Sequence, residues 1–540
     1  MPTLAKGRLL LALIVAVYVL RLAAQLAVTP LGEGLDFFSH LAYIVFMVEQ
    51  GRPPVPDEQA VPDWVARLAA EVPGPDDASK PVTYRSWAAL DEAERAQRRA
   101  ALNGDTTTAA YITRNYQSQH PPLYYWLLGG VYRLFPAGLT LDARVYWLGL
   151  VSVALSALAL PGIYQTLRLH LDETPALLAV LALAWYPNLL PFLARISNDT
   201  LAIPLLVWGL YFCLRARVSQ QRRHWVVAGG LLALACFTKT YALTLLPVYL
   251  LCAAVGEKRL TWRNLGVAVP VTVAALGSFA AFNLATTGHL VPLTEMQQTD
   301  TLPLLTRLAA LFQVDPVWFV GGLAKGFWWL GFWSFVSPGL FYYLPPLALA
   351  YVLAVPPRTG GAAGDRFSVR TLWPHYAALA LFTAGLLWHA AMFTLAARLD
   401  GLSVHSGNEG WYLNVLLGSV FVIAGVLLER RLSAGAFRRV LAGLVVFFMV
   451  WSAVGQAALI AFWGGAVPVQ SRLRAVAWGE ALPALLRPET WADWFALPGI
   501  LQPVAFTGLL PLLLALAGTG LVLHLLGARR LAALPVLADE

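Results

Sequence analysis

The chain has 540 residues, of which 58% are hydrophobic and only 13% charged, against about a quarter charged in ordinary soluble domains. That balance excludes a soluble multi-domain protein. Apolar stretches of roughly 17 to 25 residues recur along the chain and predict membrane-spanning helices, since hydrocarbon offers backbone amides no partner but each other. Short alternating segments are missing from the sequence, which excludes a β-barrel. The formal charge of +8 would suit nucleic acid, but the basic residues cluster at 215–223, 258–263 and 430–439, each beside an apolar span. This is the positive-inside pattern of a multi-pass protein surrounded by membrane lipids, with no nucleic-acid partner. Cys213, Cys236 and Cys252 lie in apolar segments without metal-ligand spacing and read as small buried residues.

The first apolar stretch, 9–28, follows Lys6 and Arg8 as a signal peptide would. It is long enough to span and lacks a convincing cleavage site, so it is expected to stay as a helix with the N-terminus inside. Next comes the most polar part of the chain, 31–119, expected as a large external loop with interfacial helices at 37–49 and 86–102 and no core of its own. The segment 121–135 is short for a span and is expected on the membrane surface or as a re-entrant helix, whereas 143–167 crosses. Parity then puts 195–199 outside, 215–224 inside, 238–240 outside and 257–263 inside. Further spans are expected at 265–284, 335–356, 373–396, 412–428, 440–462 and 503–526. The tryptophan-rich 325–333 has the composition of an aromatic belt. The expected architecture is an all-α polytopic membrane protein with about twelve transmembrane helices and external juxtamembrane helices. It divides into an N-terminal catalytic module (1–285), an external loop (286–334) and a C-terminal transmembrane module (335–540).

Ionisable residues at a membrane edge are functional candidates. Asp36 and His40 lie four residues apart, on one helix face, as a site pair or a solvated surface pair. His120 and Tyr124 belong to Gln119-His-Pro-Pro-Leu-Tyr-Tyr125, where proline alone explains the start of a helix. Arg195-Ile-Ser-Asn-Asp-Thr200 crowds a cation, an amide, hydroxyls and a carboxylate into a short turn, although Ser197 or Asn198 could simply cap the next helix. Lys239 falls in the middle of a long apolar stretch, either at an external turn between two short helices or snorkelling from one long helix.

Together these motifs resemble the GT-C superfamily of polyprenyl-phosphate-sugar-dependent glycosyltransferases, in its protein-mannosyltransferase-like and aminoarabinose-transferase-like branch. The family's acidic Asp-Glu-x-x-His motif reads here Asp36-Phe-Phe-Ser-His40, and its His-Pro-Pro-Leu-Tyr matches His120 to Tyr124. Its Arg followed by an acid-bearing turn matches Arg195 to Asp199, and its Gly-rich helix ending in Leu-Thr-Lys matches Gly229 to Lys239. An aromatic segment is loosely echoed by Phe327 to Trp333. Two departures stand out. Phe37 replaces the usual second acid, and Glu409-Gly-Trp-Tyr412 stands where many relatives show Gly-Arg-Tyr.

The resemblance implies a GT-C fold and transfer of a hexosyl or pentosyl group from a polyprenyl-phosphate donor to a lipid, glycan or protein acceptor. It implies inversion at the anomeric carbon, and an active site facing outward from a bacterial cytoplasmic membrane. Asp36 would be the general base, and Asp199 would orient the acceptor. Lys239 and Arg195, with His40 and His120, would hold the donor phosphate. Asn198, Tyr124, His405 and Glu409 would position donor or acceptor. The one cofactor the resemblance allows is a divalent cation, Mg or Mn, held by Asp36 and Asp199, and the loss of the second acid argues against tight binding. The rival reading, a transporter or flippase of lipid-linked saccharides, would favour paired charges at the midplane and repeated halves. The candidates instead collect at external helix ends. A non-catalytic assembly protein would bind the lipid-linked sugar without turnover.

Overall fold

The computed structural model describes residues 2–74, 82–255, 261–288, 290, 299, 301–329, 331, 334–336, 347, 351, 372–401, 409–465, 476–495 and 509–533. Among them, seven helices are long and apolar enough to cross a membrane: Gly7–Val28, Leu141–Arg168, Asp199–Ser219, Trp262–Thr287, Trp373–Leu399, Gly410–Glu429 and Ala434–Trp463. The pair Leu304–Leu311 and Pro316–Trp328 bends by 72°. The crossing expected between 168 and 195 is broken into Glu173–Ala184 and Leu189–Leu193. The turn expected at 238–240 is present, between Arg222–Cys236 and a 3-10 turn at Thr240–Leu245 that leads into Leu246–Ala254. The expected span at 335–356 falls almost wholly outside the described residues. Length and composition therefore support fewer crossings among the described residues than the twelve expected.

Leu123–Arg133 is a helix of 11 residues, about 16 Å at 1.5 Å per residue and so well short of a bilayer core of about 30 Å. By length it is too short to cross on its own, in keeping with its short apolar run. In the large loop, the helix Phe37–Gln50 forms as expected, but the expected helix 86–102 breaks in two. Thr83 caps Tyr84–Ala88 through a capping box with Ser86, and Asp91 caps Glu92–Leu102 through a second one with Glu94. Each box starts its helix by satisfying first-turn amides, and the one at Asp91 separates the two helices where a single one was expected. A two-stranded antiparallel ribbon, Gln59–Pro62 against Tyr111–Arg114, adds the only strands among the described residues. Strands of four residues in a polar loop carry too little alternation to be foreseen.

The loop has no separate core. Its Trp64, Val65, Leu68 and Val72 are buried in one cluster with Leu26, Tyr124, Tyr125 and Tyr146 of the membrane body. A buried carboxylate fastens its other end. Glu33 accepts hydrogen bonds from the Tyr84 hydroxyl, the Ser334 hydroxyl and the Ser334 amide. Inside the body, Arg21 of the first helix donates to the carbonyl of Ala184, an end carbonyl of Glu173–Ala184, and lies 4.4 Å over the Trp185 ring. Helix ends leave carbonyls unpaired, and a buried guanidinium there meets that need.

Candidate functional site

The turn before Asp199 and the turn at Lys239 meet. Arg195, Ser197 and Asp199 come from the turn that starts the helix Asp199–Ser219, while Lys239 and Tyr241 come from the break after Arg222–Cys236. Lys239 Nζ donates to Asp199 Oδ1 at 2.7 Å and the Tyr241 hydroxyl to the same oxygen at 2.9 Å. The Ser197 hydroxyl donates to Oδ2 at 3.0 Å and Arg195 Nη2 to it at 3.3 Å. Two cations therefore share one carboxylate, which leaves the cluster net positive. Such burial of charge is tolerable only where every polar atom is bonded, and here four donors saturate Asp199.

Arg195 also joins the cluster to the first loop. Its Nη1 donates to the carbonyl of Leu35 at 3.3 Å, and a Cβ added at Gly34 would lie 3.3 Å from Arg195 Cβ, so the loop backbone passes against the arginine. Asp36 follows at once, in a left-handed conformation (φ 54°, ψ 22°) at the start of Phe37–Gln50. Non-glycine residues adopt this region at some cost, asparagine and aspartate most readily, and such strain concentrates at functional sites. The Asp36 carboxylate makes no hydrogen bond among the described residues, while its backbone carbonyl accepts from the His40 amide at 2.9 Å. Burial holds its carboxyl above the usual range, against the pull of the nearby Arg195 and Lys239 cations.

Two cavities flank this centre. One, of about 160 Å³, is lined by His120, Lys239, Thr240, Tyr241 and Tyr412 on its polar side and by Phe382, Leu386 and Trp388 on its apolar side, with His389 beside them. Lys239 Nζ lies 5.3 Å from the Tyr241 ring and 5.4 Å from the Tyr412 ring, within cation–π range. The other, of about 180 Å³, is lined by Glu33, Asp36, Ser39 and Tyr84 with the glycines and apolar residues of the loop. Asp36 borders the second cavity while lying close enough to Lys239 to feel its charge.

Several expected site residues sit elsewhere. His40 is buried behind Asp36, its Nδ1 2.9 Å from the Tyr125 hydroxyl, and does not line the Lys239 cavity. Burial keeps its imidazole neutral. Tyr124 is fully buried, with its hydroxyl 2.8 Å from Ser152 Oγ, and packs between helices instead of facing a cavity. Asn198 is buried beside Tyr125, its Nδ2 at 3.5 Å from that hydroxyl. Glu409 precedes the 3-10 segment Gly410–Leu416, near enough to act on Asp36, and His405 lies outside the described residues. His120 does line the Lys239 cavity; its Nδ1 is buried without a partner, and burial pushes its imidazole down to about 3.

The pair Asp36 and Asp199 does not fit a divalent cation. Both oxygens of Asp199 are engaged by two cations and two hydroxyls, and among the described residues no three His, Cys, Asp or Glu side chains converge as a ligand set. Sequence reasoning missed Tyr241, Tyr412, Ser197 as a carboxylate donor, and His389. Only Tyr412, inside the departing Glu-Gly-Trp-Tyr motif, carried a signal.

The close approach at Gly410 has a direct consequence. A Cβ there would come 1.9 Å from the carbonyl oxygen of Leu323. Gly410→Ala is expected to cost about 1–3 kcal/mol through overpacking, and to shift Tyr412 two residues on. Thermal unfolding of the variant reads the loss directly, and an unchanged Tm would show that the two segments separate freely.

These features define a multi-pass helical membrane protein in which Lys239, one of two cations on a buried carboxylate, lines a half-apolar cavity. Residues 119–284, which hold His120, Arg195, Asp199 and Lys239, match the family of dolichyl-phosphate-mannose-protein mannosyltransferases, glycosyltransferases of the GT-C type. Asp36 lies before the matched segment. ArnT from Cupriavidus metallidurans bound to undecaprenyl phosphate is similar at 17% identity over 85% of this chain and 77% of that one, with a TM-score of 0.38. The apo oligosaccharyltransferase of Archaeoglobus fulgidus is similar at 15% identity over 82% of this chain and 54% of that one, with a TM-score of 0.35. AglB of the same organism, in complex with an inhibitory peptide and a dolichol-phosphate, gives 15%, 70%, 51% and 0.30 for the same measures. The chain thus spans about half the length of the archaeal enzyme. No curated protein matches the sequence.

Proposed function

We propose that this chain transfers a sugar from a polyprenyl-phosphate-linked donor to a hydroxyl-bearing acceptor at the outer face of a bacterial cytoplasmic membrane, inverting the anomeric carbon. The observation that carries this reading is the net-positive Arg195–Asp199–Lys239 cluster at a cavity whose other wall is apolar. A lipid phosphate needs both halves of that chemistry: fixed positive charge for its head and apolar surface for its chain. Asp36 takes the acceptor's proton as its oxygen attacks the anomeric carbon. The C–O bond to phosphate breaks, and the departing phosphate gains negative charge beside Lys239 and Arg195. Asp199 holds those two cations in place.

The test is incubation of membranes containing the protein with labelled polyprenyl-phosphate sugars, followed by mass spectrometry of the glycosylated product. Transfer that is absent with every donor, in protein shown to be folded, would sink the reading. The outward orientation is tested separately. A cysteine at Asp105, in the exposed loop, is expected to react with an impermeant thiol reagent on intact cells, while one at Ser219 is expected to react only after permeabilisation. The reverse pattern would turn the active face inward.

A further inference from the structure

The helix Trp373–Leu399 carries two histidines in an otherwise apolar span of mean hydropathy 1.6. His375 and His389 are about four helical turns, or about 21 Å, apart, so they share one face of the helix. Their surroundings differ. His375 is fully buried and satisfied, with Nδ1 3.0 Å from Ser419 Oγ and Nε2 3.2 Å from His170 Nε2. The His389 imidazole makes no hydrogen bond among the described residues and lines the Lys239 cavity together with His120, whose Nδ1 is buried without a partner. His389 is only half-buried, so its imidazole reaches the space that a ligand in this cavity would fill, and an ionisable side chain within an apolar span is a candidate for such a role.

We infer that His389 is a ligand-binding residue for the anionic phosphate head of the polyprenyl lipid, completing from the C-terminal half a site whose cations come from the N-terminal half. This rests on the donor reading above. Lys239 and Arg195 already share Asp199, so the cluster offers only its surplus positive charge to a phosphate. An imidazole N–H from the helix Trp373–Leu399 adds a directed donor to one phosphate oxygen, while Phe382 and Leu386, on the same helix, take the first units of the lipid chain.

The experiment is calorimetric titration of the full chain in nanodiscs with farnesyl phosphate and, separately, with inorganic phosphate, using wild type, His389→Leu and His389→Gln. The wild type is expected to bind farnesyl phosphate and to bind inorganic phosphate far more weakly, because only the lipid uses the apolar wall. His389→Leu is expected to weaken farnesyl phosphate binding by roughly 10-fold or more, the usual scale for a hydrogen bond to a charged group. His389→Gln keeps an N–H donor at similar reach and is expected to restore most of the affinity, which a merely structural role would not produce. Wild-type affinity in a folded His389→Leu variant, or equal loss in both variants, would overturn the role of His389 while leaving the donor reading intact. Failure of the wild type to bind farnesyl phosphate would overturn the donor reading itself. Equal affinity for inorganic phosphate would make free phosphate, not a lipid head, the ligand of this cavity.

Discussion

Replacing Asp36 with asparagine is expected to lower turnover by about two to four orders of magnitude, the range over which general-base catalysis contributes, while leaving the protein folded. Asparagine is the right substitution for a geometric reason. Asp36 sits at φ 54°, in the left-handed region, where asparagine is among the few side chains tolerated, so the variant removes the basic oxygen without straining the turn. An alanine would confuse the two effects. The pH profile gives a second readout. A general base must be deprotonated to act, and burial holds the Asp36 carboxyl above its usual value. The acid limb of the wild-type rate should therefore lie at higher pH than an exposed aspartate would give, with activity lost as pH falls through it. In Asp36→Asn that limb should vanish from whatever activity remains. Near-normal transfer by the folded variant would remove Asp36 as the base. Asp199 could not take over in its present setting, because both its oxygens already accept from donors at 3.3 Å or less.

Lys239→Met is expected to lower turnover by about 10²- to 10³-fold, as loss of a preorganised charge-stabilising group does elsewhere. It also breaks a buried ion pair of 2.7 Å whose partners are both almost inaccessible to solvent. Removing one member of such a pair leaves the other charge uncompensated, at a cost of about 3–5 kcal/mol, although Arg195 remains to hold part of the Asp199 charge. Lower stability would therefore accompany lower activity, and the single variant cannot separate them. The double variant Lys239→Met with Asp199→Asn does. With the carboxylate neutralised, most of the lost Tm should return, while turnover and farnesyl phosphate affinity should stay low because the cation is still missing. Recovery of turnover together with Tm would make Lys239 a structural counter-ion and nothing more.

The approach of Arg195 to the first loop explains how two distant sequence motifs become one site. Its guanidinium reaches the Leu35 carbonyl and the Asp199 carboxylate at once, so the residue that anchors the cation cluster also fixes the backbone just before Asp36. Glu33 fastens the same stretch from the other side, to Tyr84 and Ser334. Asp36 is thus held between two anchored neighbours while its own carboxylate is left without a hydrogen bond, as a proton acceptor requires.

The sequence by itself determined the helical, membrane-spanning class, because the length of an apolar run and the charges at its ends are local properties that the bilayer reads directly. It also singled out Arg195, Asp199 and Lys239, since polar groups crowded into a turn or stranded in an apolar stretch are anomalous without reference to any partner. It placed Leu123–Arg133 off the list of crossings for the same local reason. What it could not determine was the state of each candidate side chain. His40 and Tyr124 share motifs with Asp36 and His120, yet the fold turns them into the packing, toward Tyr125 and Ser152. His389 looks no different from His375 along the helix, and only the neighbours supplied by other helices make one satisfied and the other open to a cavity. Saturation of hydrogen bonds and access to a cavity depend on which segments meet, and those meetings, between residues hundreds of positions apart, were decided by the tertiary packing alone.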